Sequence, residues 1–128
     1  MKKLIIVIAS MMLAAVAAGA QEQAAVQAAE QVVVDDYKIV SDRIEDGVRY
    51  IVATPSAKVC SKQIDIQIKD GIIQSVVYTK GCEGNAKGIG ALIKDMSVEE
   101  AVKRLEGINC GKRGTSCPDQ LAKVLKSL

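Results

Sequence analysis

The sequence predicts an α+β domain, in which an antiparallel sheet of two hairpins, three or four strands in all, is covered by three C-terminal helices. Two observations support this prediction. The dipeptides Asp46-Gly47 and Asp70-Gly71 each lie between two β-type segments, as is typical of tight hairpin turns. Apolar residues then recur at helical spacing from about residue 85 onwards. Because the strands come first and the helices follow, we expect one sheet packed against one layer of helices.

The first 20 residues have the pattern of a secretory signal peptide. Two lysines precede an apolar run over residues 4–18, and Ala18-Gly19-Ala20 offers the small residues that signal peptidase selects. The run is shorter than the ~20 apolar residues that cross a bilayer. We therefore expect cleavage at about Ala20, export to the periplasm and no stable membrane anchor.

Residues 21–36 form an acidic leader rich in alanine and glutamine, which we expect to act as a tether or a frayed helix ahead of the domain over residues 37–128. The chain has 17 basic and 15 acidic residues. Loss of the two lysines of the signal peptide would bring the two signs into balance. The only aromatic residues are three tyrosines, which offer few platforms for stacking bases. We therefore expect no nucleic-acid partner.

The two hairpins differ in how clearly the sequence marks them. Residues 38–40 and 48–52 flank the first turn and are rich in β-branched and aromatic residues. In the second hairpin, isoleucines alternate with polar residues before the turn. A two-residue loop at Asp70-Gly71 would pair Ile68 with Ile73. That register predicts one apolar face made of Ile64, Ile66, Ile68, Ile73 and Val77, which the helices must cover.

Each of the three helices has its own start signal or apolar stripe. The first is predicted over about residues 85–96. The second begins at Ser97, with Glu100 reaching back to complete a capping box, and it ends at Gly107. The third begins at Cys117-Pro118, because proline lacks only the amide hydrogen that a first helical turn does not use. The predicted apolar stripes are Ala86, Ile89, Leu92, Ile93 and Met96, then Val98, Ala101, Val102 and Leu105, then Leu121, Val124, Leu125 and Leu128.

Four cysteines offer most of the chemistry in a chain that has no histidine. Cys60 precedes the second hairpin and Cys82 follows it, so the hairpin brings the two to one end of the sheet. Cys110 and Cys117 bracket the loop between the second and third helices, which can reach the same end. We therefore predict that the four thiols converge there.

Three uses of these thiols stay open. In the first, all four cysteines bind Zn²⁺ or, alternatively, an iron–sulfur cluster. In the second, export to an oxidising compartment joins Cys60 to Cys82 and Cys110 to Cys117 as disulfides. In the third, Cys117 acts as a nucleophile at a helix N-terminus, with Lys112 and Arg113 close in sequence. Because no histidine can serve as its base, we assign no catalytic residue and expect no self-contained enzymatic activity. We also assign no cofactor-binding residue apart from the four cysteines as metal ligands.

The stretch from about residue 56 to residue 128 resembles the small four-cysteine TSCPD family. The matching blocks are Val59-Cys60-Ser61-Lys62, Asp70-Gly71-Ile72-Ile73, Gly81-Cys82-Glu83-Gly84-Asn85, Ile108-Asn109-Cys110-Gly111 and Thr115-Ser116-Cys117-Pro118-Asp119. The same module is similar to the C-terminal domain of adenosylcobalamin-dependent ribonucleotide reductases. That resemblance implies an accessory module associated with such a reductase, and it leaves room for a protein partner.

A fainter similarity connects the chain with the U-type scaffold proteins of iron–sulfur cluster assembly. On that pattern Cys60, Cys82 and Cys117 match the three scaffold cysteines, and Cys110 is the substitute fourth ligand. The sequence therefore predicts an exported domain that binds a metal through four cysteines in an accessory role. The alternative is a disulfide-stabilised periplasmic interaction domain.

Overall fold

The sheet is built from two hairpins whose turns are the two predicted aspartate–glycine dipeptides. The computed structural model describes residues 36–128 and contains four strands. They are β1 (Tyr37–Glu45), β2 (Val48–Pro55), β3 (Gln63–Lys69) and β4 (Ile72–Thr79). The strands are antiparallel and lie in the order β1-β2-β3-β4. The turn residues have positive φ, 50° and 76° at Asp46-Gly47 and 52° and 74° at Asp70-Gly71, as type I′ turns require.

Three helices follow the sheet, so the predicted α+β class is confirmed. They are α1 (Glu83–Ile93), α2 (Val98–Leu105) and α3 (Cys117–Lys126). Within residues 36–128 no helix is long and apolar enough to span a bilayer. The predicted signal peptide, residues 1–20, lies outside the described residues, as does the predicted leader apart from Asp36.

The second hairpin contains a β-bulge that the sequence pattern does not reveal. Ile68 pairs with Ile73, as predicted, but the register then shifts because Gln74 is an extra residue in β4. The extra residue reverses the alternation of faces, so Val76 is buried and Val77 is 54% exposed. The predicted place of Val77 on the core face is therefore wrong, and Val76 takes that place.

The helix ends show which start signals the chain uses. The Ser97 hydroxyl accepts a hydrogen bond from the Glu100 amide at 3.2 Å. The Glu100 carboxylate, however, accepts from Arg104 at 2.6 Å, so only half of the predicted capping box forms. At α3 the Ser116 hydroxyl caps the helix by accepting from the Asp119 amide at 3.1 Å. α1 has Cys82 at its N-cap, without a side-chain cap hydrogen bond.

The hydrophobic core lies between one face of the sheet and the helices. Its strand residues are Ile51, Ala53, Ile64, Ile66, Ile68, Ile73 and Val76, and its helix residues are Ile93, Ala101, Leu105, Leu121, Ala122, Val124 and Leu125. The stripes of α2 and α3 are largely as predicted. Leu92 of α1 is an exception, because it is 78% exposed.

The exposure of Leu92 follows from how α1 contacts β4. The helix approaches the strand so closely at Gly90 that an added Cβ would lie 2.6 Å from the Val76 carbonyl oxygen. This contact turns Ile93 into the core and Leu92 out to solvent. Glycine is needed at position 90 for this approach, although glycine weakens a helix interior by about 0.5–1 kcal/mol relative to alanine.

We expect Gly90→Ala to lower the free energy of unfolding by about 1–3 kcal/mol, because the new methyl group forces α1 away from β4. Gly88→Ala is the matched control, since an added Cβ at Gly88 meets no atom within 4 Å. That variant should gain about 0.5–1 kcal/mol from helix propensity. Urea unfolding of both variants measures the difference. Equal stabilities would contradict the proposed close contact.

Candidate functional site

The four cysteines that we predicted to be metal ligands line one pocket at one end of the sheet. The pocket has a volume of about 460 Å³, and its walls include Cys60, Cys82, Cys110 and Cys117. The first three are exposed and Cys117 is half-buried. The predicted convergence at one end of the sheet is thus seen as a shared pocket. The predicted role of these residues as metal ligands stays a prediction.

The four cysteines line the same pocket, but their side chains are not arranged to coordinate a metal ion. The cysteines are free thiols. Across residues 36–128, no group of three or more histidine, cysteine, aspartate or glutamate side chains is placed to hold an ion. An ion bound by all four cysteines would therefore require the exposed segments that carry them to move closer together.

The segments that carry Cys60 and Cys82 are in direct backbone contact. The Lys62 amide donates to the Thr79 carbonyl at 2.8 Å, which continues the hairpin towards both cysteines. Beyond this bond, Gly81 has a φ of 98°, and an added Cβ would lie 3.3 Å from the Ser61 nitrogen. Glycine at this position therefore allows both the backbone conformation and the close approach.

Cys117 is held by two neighbours, Ser61 from the segment before β3 and Tyr78 from β4. Ser61, which is 2% exposed, donates its hydroxyl hydrogen to Cys117 Sγ at 3.2 Å. The Tyr78 hydroxyl donates to the Cys117 carbonyl oxygen at 3.3 Å. The pKa of Tyr78 is raised, first by burial and then by the charge of Cys117. The phenol therefore remains a hydrogen-bond donor at neutral pH.

Arg113 lines the pocket and contacts one of the four cysteine sulfur atoms. Its Nη1 donates to Cys60 Sγ at 3.0 Å. The pKa of Arg113 is raised, first by this hydrogen bond and then by the charges of Cys60, Cys110 and Cys117. The short distance in sequence suggests that Arg113 acts on the Cys117 thiol. In the structure, however, the side chain of Arg113 donates its hydrogen bond to Cys60.

Asp119 fixes the segment between α2 and α3 to the first turn of α3. The side chain is buried, and it accepts hydrogen bonds from the Gly107 amide at 2.7 Å and from the Thr115 hydroxyl at 2.6 Å. Lys123 Nζ lies 3.2 Å from the same carboxylate. Burial raises the pKa of Asp119, but the bonds from Thr115, the Gly107 amide and Lys123 outweigh it, so the pKa is lowered. Cys110 lies between Gly107 and Thr115, the two points at which Asp119 holds this segment.

Gln120 continues this network towards the sheet. Its side-chain oxygen accepts from the Ser56 amide at 2.8 Å. Its side-chain nitrogen donates to Thr115 Oγ1 at 3.0 Å and to Asp36 at 2.9 Å. Within residues 36–128, no fully buried side-chain nitrogen or oxygen lacks a hydrogen-bond partner. Thr115 and Asp119 belong to a family block of the sequence, but their structural role and that of Gln120 was not predicted. A signal was present, because Gln120 lies four residues before Val124 and so continues the apolar stripe of α3 with a polar residue.

The remaining walls of the pocket contain apolar, neutral polar and basic residues. Ile89, Leu92, Ile108 and Pro118 supply apolar surface. Lys80 and Arg113 are the cations in the lining, and no carboxylate is among the lining residues of the described chain. The pocket thus combines sulfur donors with positive charge, a combination that suits a negatively charged thiolate site.

Comparison with known proteins gives one match. A family model described as the TSCPD domain matches residues 35–128, which extends further towards the N-terminus than the blocks recognised in the sequence. Neither a search of curated proteins nor a search of solved structures gives a match.

We expect Asp119→Asn to lower the free energy of unfolding by about 1–3 kcal/mol at neutral pH, because the Gly107 amide, the Thr115 hydroxyl and the Lys123 amine lose a charged acceptor. The pKa of Asp119 is lowered on folding. Its stabilisation is therefore present above the ~3.9 of an unfolded aspartate and is lost as the pH falls through the lower folded-state value. Urea unfolding should show the difference between wild type and variant narrowing at acid pH.

Glu99→Gln is the control for this measurement, since Glu99 is an exposed carboxylate at the start of α2. Its effect should stay within about 0.5 kcal/mol. A pH-independent difference between wild type and Asp119→Asn would contradict the role assigned to the charged carboxylate.

Proposed function

This chain belongs to the TSCPD domain family, and from that premise we propose that it is an exported accessory domain that binds a metal through Cys60, Cys82, Cys110 and Cys117. The bound group is Zn²⁺ or, alternatively, an iron–sulfur cluster. One observation supports this proposal most directly: four thiols from distant parts of the chain line a single pocket.

The donor set suits such a metal. Thiolates are favoured ligands of both Zn²⁺ and iron–sulfur clusters. Cys60 and Cys82 lie close to the ends of β3 and β4, Cys110 lies in the loop between α2 and α3, and Cys117 begins α3. Three of the four cysteines are exposed. Gly111 and Gly114 have open space around them, so the segment carrying Cys110 has room to move towards the other sulfurs. A bound metal would supply a cross-link between the end of the second hairpin and α3.

The stability of a small domain offers a reason for such a cross-link. A domain of this size buries a limited apolar core. A structural zinc contributes about 10–16 kcal/mol of binding free energy at neutral pH in small zinc domains. Metal binding would thus hold in place the end of the sheet at which the exposed cysteines lie.

The accessory role is supported by the resemblance to the C-terminal domain of adenosylcobalamin-dependent ribonucleotide reductases. Leu92 and Ile108 are 78% and 42% exposed, and both line the pocket that holds the cysteines. Exposed apolar side chains beside a site provide contact area for a protein partner. Export is supported by the charged, apolar and small-residue pattern of residues 1–20.

We expect protein purified natively from its own compartment to contain stoichiometric zinc or iron and four cysteines that react as free thiols after the metal is removed under denaturing conditions. Elemental analysis combined with a thiol count checks this expectation. Two disulfides without bound metal would overturn the proposal and favour the disulfide-stabilised interaction domain.

Single replacements of each cysteine by serine test the ligand set. Each should weaken metal affinity by more than the roughly 10–100-fold that the loss of an outer-shell partner causes, because a direct ligand is removed. Competition with a chromogenic chelator measures the affinity. Ser41→Ala in β1, away from the pocket lining, is the control and should bind metal as wild type does. A cysteine whose replacement leaves the affinity unchanged is not a ligand.

A further inference from the structure

Arg113 connects two cysteine-bearing segments that lie far apart in sequence. Its guanidinium donates to Cys60 Sγ at 3.0 Å across 53 residues of chain. We propose that Arg113 is a positioning residue of the four-cysteine site: it holds the loop over residues 111–114 against Cys60 before a metal binds, and it balances thiolate charge afterwards. The second half of this inference rests on the metal-binding function proposed above.

The loop has backbone hydrogen bonds at its base and within its turn, and in the described part of the chain none of them reaches the Cys60 segment. The Cys110 amide donates to the Thr115 carbonyl at 3.1 Å, and the Arg113 amide donates to the Cys110 carbonyl at 3.3 Å. All four residues of the tip are exposed. In the described part of the chain, the Arg113–Cys60 bond is the one side-chain hydrogen bond from this tip to the Cys60 segment. It therefore limits how far the tip moves from that segment.

Charge gives Arg113 its second role. A site in which four thiolates surround a divalent metal carries excess negative charge, which a nearby cation offsets. Arg113 and Lys80 are the cations that line the pocket. The charges of Cys60, Cys110 and Cys117 all act on the Arg113 guanidinium. A planar guanidinium also presents several fixed donors, so it can contact more than one sulfur in a way that a lysine amine cannot.

The neighbouring Lys112 provides a matched control within the same loop. Lys112 is exposed and is not among the described residues that line the pocket. Lys112→Gln and Arg113→Gln therefore remove the same charge from adjacent positions, and only the second removes the bond to Cys60. Arg113→Lys keeps the charge but loses the planar donor geometry.

The first measurement needs no metal. Amide hydrogen exchange at positions 110 and 113 of the full chain, whose amides are hydrogen-bonded within the loop, should be about fivefold faster in Arg113→Gln than in wild type after correction for intrinsic rates, because opening of the loop no longer breaks a charge-assisted bond. The protein is measured in the reduced, metal-free form. Lys112→Gln should exchange like wild type. Urea unfolding serves as a check that each variant is folded, and Arg113 is exposed, so global stability should change little.

The second measurement uses Zn²⁺ and Co²⁺ as the probes. Arg113→Gln should bind Zn²⁺ about tenfold more weakly than wild type, at the lower end of the effect of outer-shell partners because the contact is exposed. The thiolate-to-cobalt absorption bands of the Co²⁺ form should shift in Arg113→Gln and not in Lys112→Gln. Arg113→Lys should restore part of the affinity.

Three outcomes would overturn the inference. They are unchanged loop exchange in Arg113→Gln, unchanged Zn²⁺ affinity in that variant, and an equal loss of affinity in Lys112→Gln, which would assign the effect to net charge alone. Failure of the wild-type protein to take up any metal would instead overturn the proposed function. The exchange comparison then still decides for or against the positioning role.

Discussion

The buried carboxylate of Asp119 is the constraint on which the arrangement of the cysteines depends. Removing a carboxylate from water is unfavourable unless hydrogen bonds and opposite charge compensate for it. Here the compensation comes from the Gly107 amide, the Thr115 hydroxyl and the Lys123 amine. Two of these donors belong to the segment that runs from the end of α2 to the start of α3. That segment contains Cys110, and the helix that follows it begins with Cys117, so the buried charge holds the two ends of the Cys110 loop in place relative to the start of α3.

At the start of α3, the residue that supplies sulfur to the pocket differs from the residues that hold the segment in place. Thr115, Asp119 and Gln120 are buried and hydrogen-bonded to one another or to neighbouring segments, and Gln120 reaches the end of β2 through the Ser56 amide. Cys117 lies among them but points to the shared pocket, where Ser61 contacts its sulfur. A polar network of this kind is effective only when every member has a partner. In the described residues, every fully buried side-chain nitrogen and oxygen has a hydrogen-bond partner. A small domain can therefore bury these polar side chains next to one another.

The fold could be predicted largely because its signals are local. The Asp-Gly turns fix both hairpins, α2 begins after the predicted Ser97 cap, and α3 begins at the predicted Cys117-Pro118 with proline in its first turn. The shared location of the cysteines also follows from hairpin topology. What failed depends on contacts between elements: the extra residue in β4 that exposes Val77, the close approach at Gly90 that rotates Leu92 to solvent, and the reach of Arg113 to Cys60. None of these features produces a recognisable periodic pattern in a single sequence, because each depends on contacts with residues of another structural element.

The bulge at Gln74 has a consequence for the surroundings of Cys117. Side chains along a regular strand face alternate sides, and a bulge adds one residue that this alternation does not count. Because the bulge absorbs Gln74, Tyr78 pairs with the core residue Ile64, and its phenol meets the Cys117 carbonyl at the start of α3. A chain without Gln74 would form a regular hairpin in which Tyr78 keeps the same partner. Deletion of Gln74 alone is therefore compatible with this contact, whereas one further residue between the turn and Tyr78 needs a second bulge or turns the ring to the opposite side of the sheet.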